Sequence, residues 1–457
     1  MTTPITNSPR PLASRRQFIK IGAAAGSSPF ILPSSVWSQE KEAAPSERIT
    51  MGFVGMGIQN RGLMSGFLGQ PGVQVVAVCD VDTTRRNSAK AMVEDRYKDK
   101  APSGWKGCDA YNDFRELIAR DDIDAVCIAT PDHWHAIITV AALNSGKDVY
   151  CEKPLTHNID EAIAVMQATE KNGRVLQTGS MQRSMKEFPV ACELVRNGAI
   201  GKIDKVTCNF GGPGIPCDLP EEESEQGLDW NFWLGPGPTR PYNSVLSPRG
   251  VHGHFPNWRS YKDYGGGSVS DFGAHHLDIA QWGLGMDDSG PVKVIPAENW
   301  QTATNGAVLV YANGIKVHHG GDIAARFFGS EGEVAVDRGR FEFKLGGKTI
   351  SRFFDRADGG SLDSKLARVE KEYLKDAKVS LYRSSNHLTD FLSCVRSRKQ
   401  PNCHAGIGGR TAICCHLTNM TYYQGETIAW DPEKLAFADG TGKPEWLTRD
   451  YRDGWKV

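Results

Sequence analysis

The chain has 457 residues, too many for one ordinary domain and suitable for two or three. With 40% hydrophobic and 23% charged residues, its composition is that of a packed globular protein and excludes a disordered chain. The formal net charge of −1 provides no overall basic field for binding nucleic acid. No run of 18 or more apolar residues indicates a membrane span in the mature protein.

Cysteine and histidine spacing indicates neither a disulfide framework nor a metal site. The eleven cysteines are odd in number and include no Cys-x-x-Cys pair, which argues against a zinc ribbon and a full set of bridges. Two His-x-His pairs, at residues 133–135 and 252–254, do not reproduce a typical zinc-ligand spacing. We therefore predict no bound metal.

The first forty residues resemble an export signal. Residues 14–20 read SRRQFIK, similar to the twin-arginine pattern S-R-R-x-F-L-K, and a weakly apolar stretch follows. Small residues near a cleavage-like site predict a signal peptide over residues 1–38 and a linker over 39–47. We expect the twin-arginine translocase as a partner and a periplasmic location; the alternative is a disordered basic tail. Because this route carries folded proteins, it is typical of enzymes that receive a cofactor in the cytoplasm.

A strand, a glycine turn and a helix begin a predicted dinucleotide-binding domain over residues 48–180. The β-type run at 48–54 leads directly into Gly55 and Gly57. This arrangement directs the N–H groups at a helix N-terminus, beginning at Ile58, toward a pyrophosphate. Asn60 stands where the third glycine of the usual motif would lie.

The next strand, residues 73–78, is followed by Asp80. An acid about 20 residues beyond the glycines is placed to bind a ribose 2′-hydroxyl. Asp80 favours NAD, since a carboxylate repels the 2′-phosphate of NADP. Arg85 and Arg86 are close enough in sequence to bind such a phosphate, so NADP remains open.

Strands and helices continue to alternate up to residue 180. A buried-strand run at 124–129 ends at Thr130, a helix is predicted over 135–145, and the strand at 149–151 precedes Lys153. Such alternation predicts a parallel, doubly wound α/β sheet of the Rossmann type. Ligands bind at the carboxyl ends of its strands.

Four motifs, in this order, resemble the glucose–fructose oxidoreductase/inositol dehydrogenase (Gfo/Idh/MocA) family. They are Gly-x-Gly with Asp80, the Thr130–Pro131 turn with His135, the Glu152-Lys153-Pro154 turn, and DFGAH at residues 271–275. The sequence GSMQR at 179–183 resembles the entry to the family's second domain. The resemblance covers residues 48–430 and implies an oxidoreductase that transfers hydride between a sugar or polyol and a tightly bound nicotinamide cofactor.

The resemblance also implies roles for individual residues. Cofactor contacts are expected from Gly55, Gly57, Ile58, Asn60, Asp80, Thr130, Pro131, His135, Glu152 and Lys153. Catalytic roles fall to Lys153, Asp271 and His275, and substrate contacts to Arg183, Trp258 and His276.

The implied chemistry assigns one task to each catalytic residue. Lys153 would steady a developing alkoxide, and His275 would take the hydroxyl proton. Asp271 and His275 are four residues apart, so on a continuous helix Asp271 would hold one imidazole nitrogen. The alternatives are a surface lysine at 153, ordinary helix histidines, and an Asp271 that only caps the helix.

From residue 203 the pattern changes to short alternating runs separated by Gly and Asn turns. We predict strands at 206–210, 307–311, 315–319, 333–336 and 340–345, with a hairpin turn at Asn313-Gly314 and covering helices at 386–396 and 410–423. This gives an α+β domain over 181–430 with a mainly antiparallel open sheet. Its open face predicts a homo-oligomer, and the aromatic-rich arm at 431–457 is expected to cross a neighbouring subunit.

An insert at residues 211–264 is rich in Pro, Gly and Trp. Trp230, Trp233 and Trp258 are candidates for stacking on sugar rings, or they pin a long loop to the core. His252 and His254 are expected near the cleft.

Two other functions remain open. Some glycosidases that resemble this family oxidise a hydroxyl transiently and hydrolyse a glycoside with no net redox change. A non-catalytic sugar or nucleotide sensor is the third possibility, although a sensor needs none of Lys153, Asp271 and His275. Reaction products distinguish the first two functions, because oxidation yields a ketosugar or lactone and hydrolysis yields a free sugar.

Overall fold

A computed structural model describes residues 48–457 of the chain. The predicted twin-arginine signal and the linker up to residue 47 lie outside the described residues. Within residues 48–457, no helix has the length and apolar character needed to cross a bilayer.

The first sheet has six strands, all parallel, in the order β3-β2-β1-β4-β5-β6. They are β1 (Ile49–Val54), β2 (Val73–Cys79), β3 (Asp109–Tyr111), β4 (Ala125–Ile128), β5 (Asp148–Cys151) and β6 (Leu176–Thr178). The connecting helices are α1 (Ile58–Leu68), α2 (Thr83–Tyr97), α3 (Phe114–Ile118), α4 (Asp132–Asn144) and α5 (Ile159–Asn172). Strand order reverses between β1 and β4, which opens a crevice at their carboxyl ends. The predicted doubly wound Rossmann sheet is confirmed.

The second sheet has ten strands in the order β14-β13-β12-β11-β7-β10-β9-β8-β15-β16. They are β7 (Ile203–Cys208), β8 (Lys293–Ile295), β9 (Val308–Val310), β10 (Lys316–His319), β11 (Ala325–Gly329), β12 (Gly332–Asp337), β13 (Arg340–Leu345), β14 (Lys348–Phe353), β15 (Ile428–Asp431) and β16 (Ala436–Phe437). All pairs are antiparallel except β7 with β10, so the mainly antiparallel sheet is confirmed. The expected hairpin joins β9 to β10, and Gly314 takes the positive φ of 83° that its turn requires.

Seven further helices accompany this sheet and the chain around it. They are α6 (Glu187–Arg196), α7 (Trp230–Leu234), α8 (Gly267–Asp271), α9 (Gly273–Leu284), α10 (Leu362–Tyr373), α11 (His387–Ser397) and α12 (Ala405–Gln424). Helices α6, α9 and α12 contribute to one hydrophobic core with the inner face of the sheet.

Helix α11 was predicted to cover the second sheet, but it packs against the first sheet instead. Phe391 packs edge-on against Phe67 and Tyr150, with ring centroids 6.1 and 5.8 Å apart, inside the core of the first sheet. The amphipathic pattern of α11 identifies its buried face but not which of the two sheets receives it.

The C-terminal arm packs against its own chain; that it also crosses a neighbouring subunit stays a prediction. Arg449 donates to Glu161 Oε1 (2.8 Å) and to the carbonyl of His133 (2.6 Å). The Tyr451 hydroxyl donates to the same carboxylate (2.9 Å). Farther along, Trp455 stacks on Phe232 of the insert, with centroids 5.8 Å apart. These contacts hold the arm against α4, α5 and α7.

Arg449→Met should destabilise the fold because it leaves the fully buried carboxylate of Glu161 without its cation. We expect a loss of about 3–5 kcal/mol in the free energy of unfolding, measured by urea denaturation at neutral pH. The double variant Arg449→Met/Glu161→Gln removes the orphaned charge and should recover much of that loss. A single-variant effect below about 1 kcal/mol, the value of a surface ion pair, would contradict this account.

Candidate active site

A glycine turn shapes the groove at the carboxyl end of β1. Gly55 has a φ of +81°, and a Cβ there would lie 2.8 Å from the Thr130 side chain, so no larger residue fits. Gly57 precedes α1 with no side-chain cap and open space beyond it. Because the first N–H groups of a helix lack intrahelical partners, this end of α1 suits an anionic phosphate. Thr130 Oγ1 is buried and has no hydrogen-bond partner among the described residues, which also fits a polar ligand.

Asp80 lies at the end of β2 and lines the same groove as Gly57, Ile58 and Pro131. Its carboxylate accepts hydrogen bonds from the N–H of Met56 (2.6 Å) and of Asp82 (2.9 Å). Burial raises the pKa of Asp80, and the Arg85 charge opposes that rise. The carboxylate is therefore held beside the glycine turn, where the ribose of a dinucleotide would be expected.

Asn60 does not face the groove, which corrects its assignment to the cofactor. Its side chain is fully buried, donates to the Val54 carbonyl (2.9 Å) and accepts from Cys127 Sγ (3.2 Å). An amide at the position of the usual third glycine thus ties α1 to β1 and β4.

Both arginines considered for a 2′-phosphate are already engaged. Arg85 donates to the carbonyls of Gly250 (3.2 Å) and Pro248 and to the Ser247 hydroxyl (3.1 Å). Arg86 donates to the Asp80 carbonyl (2.6 Å) and to the Asn112 side chain (3.1 Å).

The insert covers the dinucleotide groove. Its lining residues there are Phe232, Trp233, Leu246, Ser247, Pro248, His252, Pro256, Trp258 and Arg259. Trp230 instead stacks on Trp233, with centroids 4.6 Å apart and planes 17° apart. Of the tryptophans considered for sugar stacking, Trp233 and Trp258 border cavities, whereas Trp230 supports Trp233. His252 lines the groove, whereas His254 does not.

A second cavity adjoins this groove and brings together the three predicted catalytic residues, Lys153, Asp271 and His275. Lys153 Nζ donates to the Asp271 carboxylate and to the Asp271 carbonyl (3.0 Å). Burial alone would raise the pKa of Asp271, but Lys153 and Arg259 outweigh it and lower that pKa. The carboxylate is thus held ionised between two cations.

The expected hydrogen bond between Asp271 and His275 is not formed. Asp271 ends α8, and α9 starts anew at Gly273, so the two side chains do not share one straight helix. The Asp271 carboxylate turns to Lys153, while His275 Nδ1 is buried without a partner among the described residues. The Asp271 carboxylate therefore pairs with the nearby ammonium of Lys153 and not with the histidine four residues later.

His275 is suited to act as a neutral base. Burial lowers its pKa well below 6.5, and the charges of Lys153 and Arg338 add to this effect. Near neutral pH the imidazole is therefore neutral, and its unprotonated ring nitrogen is able to accept a proton.

His135 and Glu152 also line the second cavity, where their hydrogen bonds connect the segments that form its walls. The ring nitrogens of His135 lie 2.7 Å from the Pro154 carbonyl and 2.9 Å from the Thr130 carbonyl, and burial lowers its pKa to about 4. Glu152 accepts from Gln59 Nε2 (2.9 Å), which links β5 to α1. Both side chains thus position the turns that border the cavity.

Two predicted substrate contacts are corrected. Arg183 is only 1% exposed, lines neither cavity, and pairs with Asp278 and Asp287 through distances of 2.7–3.0 Å. His276 is directed at the Asn209 carbonyl, 2.6 Å from its Nδ1, and lines neither cavity. Both side chains stabilise the domain that carries His275.

Sequence reasoning missed Asp132, Arg259 and Arg338, which also line the second cavity. Arg259 is adjacent to Trp258, a predicted substrate contact, so the aromatic insert was the only feature of the sequence that indicated Arg259. Arg338 lies on the turn between β12 and β13, and no local pattern indicates that this hairpin reaches α9.

Comparison with known proteins identifies the family. A model described as "Oxidoreductase family, NAD-binding Rossmann fold" (GFO_IDH_MocA) matches residues 49–180, and its C-terminal alpha/beta domain model matches residues 211–326. The chain belongs to the Gfo/Idh/MocA oxidoreductase family.

Curated relatives match over part of their length. An inositol 2-dehydrogenase of Salmonella typhimurium (strain LT2) is 37% identical over 132 residues, 29% of this chain and 36% of the relative. A glycosyl hydrolase family 109 protein of Parabacteroides distasonis is 27% identical over 286 residues, 58% of each chain. The chain thus covers less than two thirds of the length of these relatives.

Solved structures show the same fold at low identity. The aldose-aldose oxidoreductase of Caulobacter crescentus, complexed with glycerol, has a TM-score of 0.56 and 18% identity, covering 84% of this chain and 99% of its own. A levoglucosan dehydrogenase in complex with NADH and levoglucosan has a TM-score of 0.53 and 16% identity, with 84% and 99% covered.

Arg183→Met tests whether this residue is structural. It leaves two acids near α9 unpaired, so we expect a loss of about 3–5 kcal/mol in unfolding free energy by urea denaturation. Nucleotide content and sugar affinity of the folded variant should remain those of the wild type. Unchanged stability together with weakened sugar binding would restore the substrate assignment.

Proposed function

We propose that this oxidoreductase transfers hydride between a CH–OH group of a sugar or polyol and a tightly held NAD(H). One observation carries the proposal: the dinucleotide groove and the Lys153–His275 cavity share a border. The residues lining both are Gln59, Ala129, Thr130, Trp258 and Arg259. A nicotinamide at this border would accept or return a hydride at the substrate carbon.

The chain's own groups provide the acid–base part of the reaction. Lys153 places a cation where an alkoxide would develop, and Asp271 keeps that ammonium directed into the cavity. His275, neutral because it is buried, takes the hydroxyl proton during oxidation and returns it during reduction. Trp258 lines one side of the cavity.

NAD is favoured over NADP by the surroundings of Asp80. This carboxylate borders the groove where a 2′-phosphate would be repelled. The guanidinium groups of Arg85 and Arg86 are occupied by carbonyl and side-chain oxygens, so neither is free to offset the repulsion.

Contacts between the insert and the Rossmann domain support tight retention of the nucleotide. Arg61 donates to the His252 carbonyl (2.5 Å), and the Thr83 hydroxyl donates to the Gly227 carbonyl (2.9 Å). These contacts and those of Arg85 join the insert to the domain that forms the groove. Release of a bound dinucleotide would require several of them to break.

A retained cofactor suits the proposed periplasmic location, where free NAD is scarce. The SRRQFIK segment supports export through the twin-arginine translocase. The homo-oligomer stays a prediction.

A redox-neutral glycoside hydrolase is the second candidate, favoured by the Parabacteroides distasonis relative and by the same enclosed groove. In this case the hydride taken from the sugar would be returned to it after elimination of the glycosidic substituent and addition of water. A free sugar released from a glycoside, with no ketosugar or lactone, would identify this activity.

Adding a sugar or polyol substrate should change the absorbance of the bound nicotinamide near 340 nm in a single turnover. Lys153→Ala should slow this change by at least about a hundredfold, because it removes the cation at the alkoxide. Lys186→Ala, which removes an exposed lysine that precedes α6 and pairs with Asp363, is the matched control. An equal rate in Lys153→Ala and wild type would contradict the role of Lys153.

The pH dependence of oxidation tests His275. Since burial and neighbouring cations lower its pKa, the base is lost only as pH falls well below 6.5, and the rate should be flat from there to neutrality. His275→Asn should lower the rate by about 10²–10⁴ and abolish this acid limb. His276→Asn, which removes a neighbouring histidine bonded to a backbone carbonyl, should retain the limb. An unchanged profile in His275→Asn would overturn the assignment.

A further inference from the structure

Arg259 presents an oriented and largely unpaired guanidinium group to the second cavity. It contacts the rings of Trp258 and Phe255, 4.2 and 5.2 Å from their centroids. Its only hydrogen bond among the described residues goes to the Pro256 carbonyl (3.1 Å). Asp271 Oδ2 is 3.9 Å away, beyond hydrogen-bond distance. Most of the donors on this planar group thus remain free.

Arg338 adds a second cation from the antiparallel sheet. It lies on the β12–β13 turn, and its Nε donates to the side-chain oxygen of Gln182 (3.1 Å). The neighbouring Asp337 carboxylate accepts from the Arg338 backbone N–H (2.8 Å) and does not line the cavity. The Arg338 guanidinium has no carboxylate partner among residues 48–457.

The acids of the cavity form no hydrogen bond with either guanidinium group among the described residues. Asp271 bonds with Lys153, and Glu152 accepts from Gln59. Burial raises the pKa of Asp132 well above its usual range, which disfavours its charged form. A neutral sugar would leave the donors of Arg259 and Arg338 without a carboxylate acceptor in a partly buried site.

We propose that the substrate carries a carboxylate, as in uronic or aldonic acids, and that Arg259 binds it while Arg338 attracts it into the cavity. A planar guanidinium matches a carboxylate through two parallel hydrogen bonds, and contact with two rings fixes its orientation beforehand. The inference rests on the proposed function, because it names the substrate class of the same site.

Calorimetric titration of the nucleotide-loaded enzyme tests this with two matched pairs, D-glucuronate against D-glucose and D-gluconate against D-glucitol. We expect the acid to bind at least tenfold more tightly than its neutral partner in at least one pair, and the difference to shrink with added salt. Acids that bind no better than their neutral partners in both pairs would overturn the inference. Tighter binding of glucose 6-phosphate than of either acid would also overturn it.

Charge-matched variants locate the contact. Arg259→Lys keeps the charge but loses the planar fork, and Arg338→Gln removes a charge; each should lower the ratio of acid affinity to neutral-sugar affinity about tenfold. Arg352→Gln on β14, which removes an exposed arginine outside both cavities, is the control. If Arg259→Lys instead releases the nucleotide without altering acid preference, Arg259 serves the cofactor and the inference fails. Acid-selective binding with no absorbance change near 340 nm would support the carboxylate site and contradict hydride transfer.

Discussion

The ion pair between Lys153 and Asp271 joins the two domains at the point where their cavities meet. Lys153 follows β5 of the parallel sheet, and Asp271 ends α8 beside the antiparallel sheet. Both side chains are mostly buried, so loss of either partner leaves a charge in a poorly hydrated place. The pair thereby couples interdomain geometry to the position of the ammonium. It also leaves His275 without a carboxylate partner, so that burial keeps the imidazole neutral.

The insert depends on that arrangement and completes it. It crosses from the second domain over the carboxyl ends of β1 and β2, where Arg85 and Arg61 hold it through backbone carbonyls. Its aromatic residues then form a wall common to the groove and the cavity, with Trp258 and Arg259 bordering both. One segment thus covers the groove proposed for the nucleotide and orients Arg259 at the adjoining cavity, which would link cofactor retention to substrate choice.

Local patterns were sufficient for the alternation of strands and helices, the glycine turn, the position of Asp80 after β2 and the Asn313-Gly314 hairpin, because each is set by residues close together in sequence. Long-range pairing was not predictable in this way. Arg183 was predicted to contact substrate, but Asp278 and Asp287, about a hundred residues away in sequence, neutralise its charge. The Asp271–His275 spacing suggested a shared face, but the break between α8 and α9 separates them. Arg338 and helix α11 reach their neighbours only through tertiary packing.

The central claim is that a nicotinamide dinucleotide occupies the groove between Gly57, Asp80 and the insert. The direct measurement is to purify the protein without added nucleotide, denature it, and identify what is released by chromatography and absorbance. The account predicts close to one NAD(H) per chain, with occupancy reduced when Arg85→Ala loosens the insert. A nucleotide-free protein that also fails to bind added NAD or NADP would contradict it.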